Sequence, residues 1–289
     1  MSTETTTSTV PGTVAVLGGG RMGAGIAHAF LTAGARVTVI EIDDDAAQAA
    51  RGRIENDLTA SIERGKITGE LSDWTDKLTT TTEDSGLSQC ELAIEAVPES
   101  WDLKVSSLKR LEAALPETGW LASNTSSLSI DGLAEQLERP ERFCGLHFFN
   151  PVPASKLVEV VIGARTGDQL KELAGQWVAG LGKTAVTVAD APGFASSRLG
   201  VAIALEAIRM VEDGVASPED IDNAMVLGYK FPIGPLALTD IVGLDVRLGI
   251  AEYLEQELGE RFAPPQLMRQ MVAEGHLGRK SGKGFYDYS

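Results

Sequence analysis

The chain has 289 residues, of which 43% are hydrophobic, enough for a globular protein of two domains rather than one. A formal net charge of −16 argues against nucleic acid and against an anionic membrane surface, since both would be repelled over long range. Two cysteines, no signal-peptide pattern and no apolar run long enough to span a bilayer point to a reducing, cytoplasmic setting.

Residues 1–11 are almost all Ser and Thr, too polar to bury anything, and read as a disordered tail. Val14 to Leu17 is a β-branched apolar run that opens into Gly18, Gly20 and Gly23 at G-x-G-x-x-G spacing, and a helix follows over Met22 to Ala33. Gly18 permits the turn, Gly20 lets backbone approach a pyrophosphate, and Gly23 allows close helix-to-strand packing, while the helix N-terminus offers N–H donors to phosphate. Arg21 and Met22 lie within this turn and count with its cofactor-binding residues. A second strand, Arg36 to Ile40, delivers Glu41 23 residues after Gly18, where a carboxylate holds the adenosine ribose 2′-hydroxyl. Its charge repels a 2′-phosphate, which favours NAD over NADP; the glycine motif alone also admits FAD.

A charged helical insertion is expected at about 46–75. On it Arg53 and Arg64 stand 11 residues apart, close to three turns, and share a face that is either a solvated surface or a phosphate-binding one. Strands follow at Leu92 to Ala96 and Trp120 to Ser123, with a helix from Trp101 to Leu115 between them. The second of these strands ends in S-N-T-S-S-L, hydroxyls and an amide at the carboxyl end of a strand, where open α/β sheets bind ligands. His147 and Asn150 stand at another strand end, and Glu159 lies on the next strand, Leu157 to Ile162. An imidazole oriented and made more basic by a carboxylate can take a proton from an alcohol. Of the other two histidines, His28 reads as a packing residue within the first helix and His276 as solvent-facing. The cysteines are 54 residues apart and no H-x-x-x-H or C-x-x-C occurs, so no metal site is expected. After a helix at Asp168 to Leu181 and a last strand at Thr184 to Val188, only helical patterns remain: Ser196 to Glu212, Pro218 to Met225, Pro235 to Gly259 and Pro265 to Gly275.

The sequence thus predicts a Rossmann-type, mostly parallel α/β domain over 12–191, followed by an all-α C-terminal domain over 192–289 for substrate binding and dimerisation. The last 95 or so residues hold more apolar helix surface than they can bury alone, which implies a homodimer through these helices.

G-G-G-R-M-G-A-G-I-A, S-N-T-S-S-L, G-L-H-F-F-N-P-V-P-A-S-K-L-V-E-V, D-A-P-G-F, F-P-I-G-P-L and the terminal R-K-S-G-K-G-F-Y-D-Y together resemble the 3-hydroxyacyl-CoA dehydrogenase family, in particular its short bacterial 3-hydroxybutyryl-CoA members. The resemblance covers nearly all of the chain after the tail. It implies NAD as cofactor, an acyl-CoA substrate, His147 as general base oriented by Glu159, and Ser126 on the reacting oxygen and both ligands. It implies further that Glu41, Glu99, Lys104, Asn150 and Lys280 serve the cofactor. Arg64 falls where the family places a basic residue for CoA, Lys66 and Arg53 are counted with it as candidates for that ligand, and Asp57 stands where a relative has serine. One departure concerns the reacting centre: P-G-F-A-S-S-R has Ser197 where the family has asparagine. Two other readings stay open at this point, a dehydrogenase of a free hydroxy acid or sugar acid, and a dinucleotide-binding protein with impaired catalysis.

Overall fold

The structure is a computed structural model that describes residues 10–288. The described residues divide into two compact units, the first ending at Asp190 and the second beginning at Ala191. The expected tail lies outside the described residues except for Val10 and Pro11; Val10 is buried, so the packed chain begins earlier than residue 12.

In the first unit, β1 (Thr13–Leu17), α1 (Arg21–Thr32) and β2 (Arg36–Ile40) form the first strand–helix–strand unit. The chain continues through α2 (Asp44–Glu63), α3 (Leu71–Thr75), β3 (Leu78–Thr81), β4 (Leu92–Glu95), α4 (Trp101–Ala114), β5 (Trp120–Ser123) and α5 (Ile130–Ala134). It closes with β6 (Phe143–Phe148), β7 (Leu157–Ile162), α6 (Asp168–Gly180) and β8 (Thr184–Ala189). The eight strands make one sheet in the order β3-β2-β1-β4-β5-β6-β7-β8. All neighbours are parallel except β6 and β7, which run antiparallel.

Strand order reverses between β1 and β4, the switch point at which open parallel sheets leave a crevice at their carboxyl ends. β4 is buried at every position and β1 at all but its first, as befits strands covered by helices on both faces. Val14, Val16, Ile26, Phe30, Val37 and Ile94 pack at the centre of this core. Both cysteines are buried: burial pushes the Cys90 thiol up to about 11 and the Cys144 thiol, in β6, up to about 12. β3 is absent from the sequence expectations because L-T-T-T has one apolar residue in four; only pairing with β2 makes it a strand.

The second unit holds α7 (Ser196–Glu212), α8 (Pro218–Asn223), α9 (Pro235–Val242), α10 (Leu244–Leu258) and α11 (Gln266–Ala273), packed through Val201, Leu205, Ile208, Leu236, Leu254 and Met268. The single helix expected from Pro235 to Gly259 is two. Gly243, at φ +104°, breaks it, because that backbone conformation has left helical space and a side chain there would be strained. Two buried carboxylates tie the unit together. Asp222 accepts from the Leu236 and Ala237 amides at 2.8 and 2.9 Å and so caps α9, and Asp240 accepts from the Phe285 and Tyr286 amides at 3.0 Å each and holds the C-terminal segment. No helix among the described residues is long and apolar enough to cross a membrane.

Candidate active site

The glycine turn after β1 is built for close approach. A Cβ on Gly23 would lie 1.7 Å from the Gly18 carbonyl oxygen, so α1 can meet the turn only because Gly23 has none. Nothing lies within 4 Å of a Cβ placed on Gly20, and no side chain caps α1, so its first N–H groups face open space. Glu41, just past β2, is held against this turn: its Oε1 accepts from the Gly19 amide at 2.6 Å and its Oε2 from the Ile42 amide at 3.2 Å. An uncapped helix end for a pyrophosphate beside a carboxylate for ribose hydroxyls fits a dinucleotide, and the carboxylate disfavours a 2′-phosphate.

His147 is the penultimate residue of β6, and the antiparallel ladder with β7 sets it directly opposite Glu159. Both are buried, and Nδ1 lies 2.8 Å from Glu159 Oε2. A carboxylate only accepts, so the Nδ1 proton points at Glu159 and Nε2 is the basic nitrogen of the ring. The Phe149 ring packs on the imidazole at 4.4 Å between centroids, and the side-chain carbonyl of buried Asn124, in the loop after β5, accepts the Phe148 amide at 2.9 Å. The imidazole is thus held by Glu159 and packed by Phe149, on a strand end that Asn124 fixes.

A second polar cluster stands at the ends of β4 and β5. Glu99 Oε1 gathers the Thr125 hydroxyl at 2.5 Å, the Ser126 and Ser127 amides at 3.0 Å each and the Ser127 hydroxyl at 2.9 Å. Burial alone would raise the Glu99 pKa, but the Lys104 charge and these hydrogen bonds hold it below the usual carboxylate range. Lys104, on α4, is 1% exposed and its ammonium points inward, at Glu95 Oε1 (2.7 Å), the Val97 carbonyl (3.2 Å) and Glu99 Oε2 (3.3 Å). Glu95 escaped the sequence reading, and Asn124 entered it only as the amide of S-N-T-S-S-L. A Glu ending an L-A-I-E strand looks like a solvent-side residue until its partners on α4 and β5 are known.

The cations expected for CoA separate. Arg53 donates to the Gly19 carbonyl at 3.1 Å and so belongs to the glycine turn, whereas Arg64 and Lys66, just past the end of α2, line a crevice with Arg21, Asp57, Ser61 and Asn150. Arg21 therefore faces this crevice, and Met22 packs against the core. Burial raises the pKa of Asp57 there. His28 is the packing residue expected: it is buried in α1 with Nε2 2.9 Å from the Ser61 hydroxyl. His276 is partly buried, 3.5 Å from Glu274. In the helical unit Ser197 lies in the first turn of α7, and Lys280 is 2.5 Å from Asp245.

Residues 13–191 match the family model described as "3-hydroxyacyl-CoA dehydrogenase, NAD binding domain", and residues 193–288 the one described as "3-hydroxyacyl-CoA dehydrogenase, C-terminal domain". The chain is 41% identical over 274 residues to a protein of Deinococcus radiodurans named "Probable 3-hydroxybutyryl-CoA dehydrogenase", covering 94% of this chain and 99% of the relative. It is 42% identical over 279 residues to the "3-hydroxybutyryl-CoA dehydrogenase" of Mycobacterium tuberculosis, covering 95% and 98%. Among solved structures it is similar to the (S)-3-hydroxybutyryl-CoA dehydrogenase PaaH1 of Ralstonia eutropha, with a TM-score of 0.92, 40% identity and coverage of 96% and 99%.

Proposed function

The chain belongs to the 3-hydroxyacyl-CoA dehydrogenase family, an NAD-binding domain followed by that family's C-terminal domain, and on this premise we propose that it interconverts (S)-3-hydroxybutyryl-CoA and its 3-oxo product. The buried His147–Glu159 pair, 2.8 Å apart near the carboxyl end of β6, supports this reading more than any other observation. His147 Nε2 takes the proton of the 3-hydroxyl, and Glu159, accepting from Nδ1, stabilises the imidazolium that results. NAD, held by the residues named below, would supply the acceptor for the hydride of C3. Ser126 hydrogen-bonds the reacting oxygen, while Glu41 and the α1 N-terminus hold the adenosine ribose and pyrophosphate, with Glu99, Asn150 and Lys280 toward the nicotinamide. Arg64 and Lys66 serve the CoA phosphates, while Arg53 supports the glycine turn.

The protein acts as a homodimer in the cytoplasm. Support for the dimer comes from exposed apolar side chains on the helical unit, among them Leu199, Ile203, Leu227 and Val246. Support for the compartment comes from two buried thiols and no apolar helix of membrane-spanning length among the described residues. The deciding experiment is oxidation of NADH by the purified protein with acetoacetyl-CoA, run beside NADPH and beside free acetoacetate. Turnover of the CoA ester with NADH is the expected result. Turnover of the free acid alone would favour a hydroxy-acid dehydrogenase, and binding of NADH without turnover of either would favour a catalytically impaired protein.

A further inference from the structure

Glu95 ends β4 at the switch point of the sheet and is fully buried, yet no step of the reaction proposed above touches it. Three donors converge on its carboxylate: the Val97 amide and the Lys104 ammonium at Oε1, both at 2.7 Å, and the Ser123 hydroxyl at Oε2, at 2.6 Å. From there two routes lead to the same turn. In one, the Ser123 oxygen accepts from the Thr125 amide at 3.2 Å. In the other, Lys104 bridges Glu95 to Glu99 Oε2, and Glu99 Oε1 collects the Ser126 and Ser127 amides. Lys104 donates to Glu95 Oε1 and to the Val97 carbonyl and forms an ion pair with Glu99 Oε2, so the protein itself holds its ammonium between the two carboxylates.

The loop that follows Glu95 meets the dinucleotide turn through main chain only, with no part taken by the Glu95 side chain. The Ala96 amide donates to the Leu17 carbonyl at 2.8 Å, and a Cβ on Gly18 would lie 2.9 Å from the Ala96 oxygen. That side chain ties together the end of β4, the end of β5 and the Ser126 turn, at the crevice where a parallel sheet receives its ligand.

We propose that Glu95 is a positioning residue for the nicotinamide half of the site, fixing Ser126 and Glu99 through Ser123 and Lys104; the proposal rests on the NAD-dependent reading above. Its charge is needed as well as its shape. Glutamine matches glutamate in size, but its amide nitrogen cannot accept from any of the three donors, and Lys104 would be left with one carboxylate instead of two. The adenosine half, built from Gly20, the α1 N-terminus and Glu41, shares none of these bonds.

The test separates the two halves of the cofactor. In Glu95→Gln, affinity for ADP-ribose stays within about twofold of wild type, affinity for NADH falls by roughly tenfold, and kcat with acetoacetyl-CoA falls by ten- to a hundredfold, in line with the loss of charge-assisted hydrogen bonds and a small misplacement at a reacting centre. Because the residues act as one unit, Glu95→Gln with Lys104→Met is no worse than Glu95→Gln alone. Ser123→Ala, which breaks one route only, lowers kcat less and serves if Glu95→Gln does not fold. Wild-type kcat and NADH affinity in Glu95→Gln overturn the proposal. So does a parallel loss of ADP-ribose and NADH affinity with a lowered Tm, which is the mark of a packing role. If the wild type fails to reduce acetoacetyl-CoA, the dehydrogenase reading falls, while the split between ADP-ribose and NADH binding still decides the role of Glu95.

Discussion

At His147 the ladder between β6 and β7 does the work that a flexible loop would do poorly, since its register alone brings Glu159 opposite the ring. His147→Gln is expected to keep NADH affinity and lower kcat by about 10² to 10⁴, the usual worth of general acid–base help, whereas Glu159→Gln costs less and changes the pH profile of kcat. Steady-state kinetics beside NADH titration check both, and wild-type turnover in His147→Gln under chemistry-limited conditions would remove the base from the mechanism. Asp57 presents the opposite case, a carboxylate lining one crevice with Arg21, Arg64 and Lys66, where it would oppose the CoA phosphate proposed for these cations. Asp57→Asn is expected to lower KM for acetoacetyl-CoA by roughly threefold to tenfold with kcat unchanged, the scale of one partly exposed charge contact. Burial raises the Asp57 pKa, so as pH falls through it the wild type loses the repelling charge and its KM should approach that of the variant. An unchanged or higher KM in Asp57→Asn would count against CoA in this crevice.

Between elements, α7 and α10 pack around a charge. Arg247 on α10 is 6% exposed, its Nε has no hydrogen-bond partner among the described residues, and burial alone lowers its pKa to about 10. A Cβ on Gly200 of α7 would lie 3.0 Å from its Nη1, so glycine makes room for the guanidinium. An unpaired buried charge costs stability that a hydrophobe of similar volume does not, so Arg247→Met is expected to raise stability by about 1 kcal/mol or more in urea titration. A loss of similar size would mean that the guanidinium is compensated by a group outside the single chain. Such pairings mark where sequence reading stops. β1, the glycine turn, Glu41 and the His147–Glu159 pair were legible because fingerprint spacing and strand alternation act within short stretches of chain. Glu95 was not, because Lys104 and Ser123 reach it from other elements. The break at Gly243 was hidden because one glycine in a periodic apolar stretch also fits a continuous helix, and β3 because threonines pair into a sheet without showing an apolar face.

For the whole molecule, the buried histidine of α1 couples stability to pH. Burial first, then the positive charges of Lys183 and Lys66, lower the His28 pKa from 6.5 to about 4. The unfolded chain therefore binds a proton between pH 6.5 and 4 that the folded chain refuses. Above 6.5 the residue is neutral in both states and contributes no slope; as pH falls from 6.5 to about 4, folding loses on the order of 3 kcal/mol, and below 4 the loss levels off. Urea titrations of the wild type and of His28→Gln across this window isolate the effect, since carboxylates titrate alike in both. The variant should show the shallower decline, and parallel curves would refute the linkage.

Cys144 sits three residues before His147 in the same strand, fully buried, with its thiol far from the thiolate form that reacts. A maleimide can reach it only when β6 leaves the sheet, which makes the residue a stopwatch for the strand that carries the base. With Cys90 replaced by serine, the labelling rate at a given pH reports how often that strand opens. A dinucleotide that binds only the closed protein should slow the clock by a factor of about 1 + [NADH]/Kd. Labelling that ignores saturating NADH would show that β6 opens without releasing the cofactor. Where NADH does slow it, affinity can be read from sulfur chemistry alone, with no turnover and no substrate in the tube.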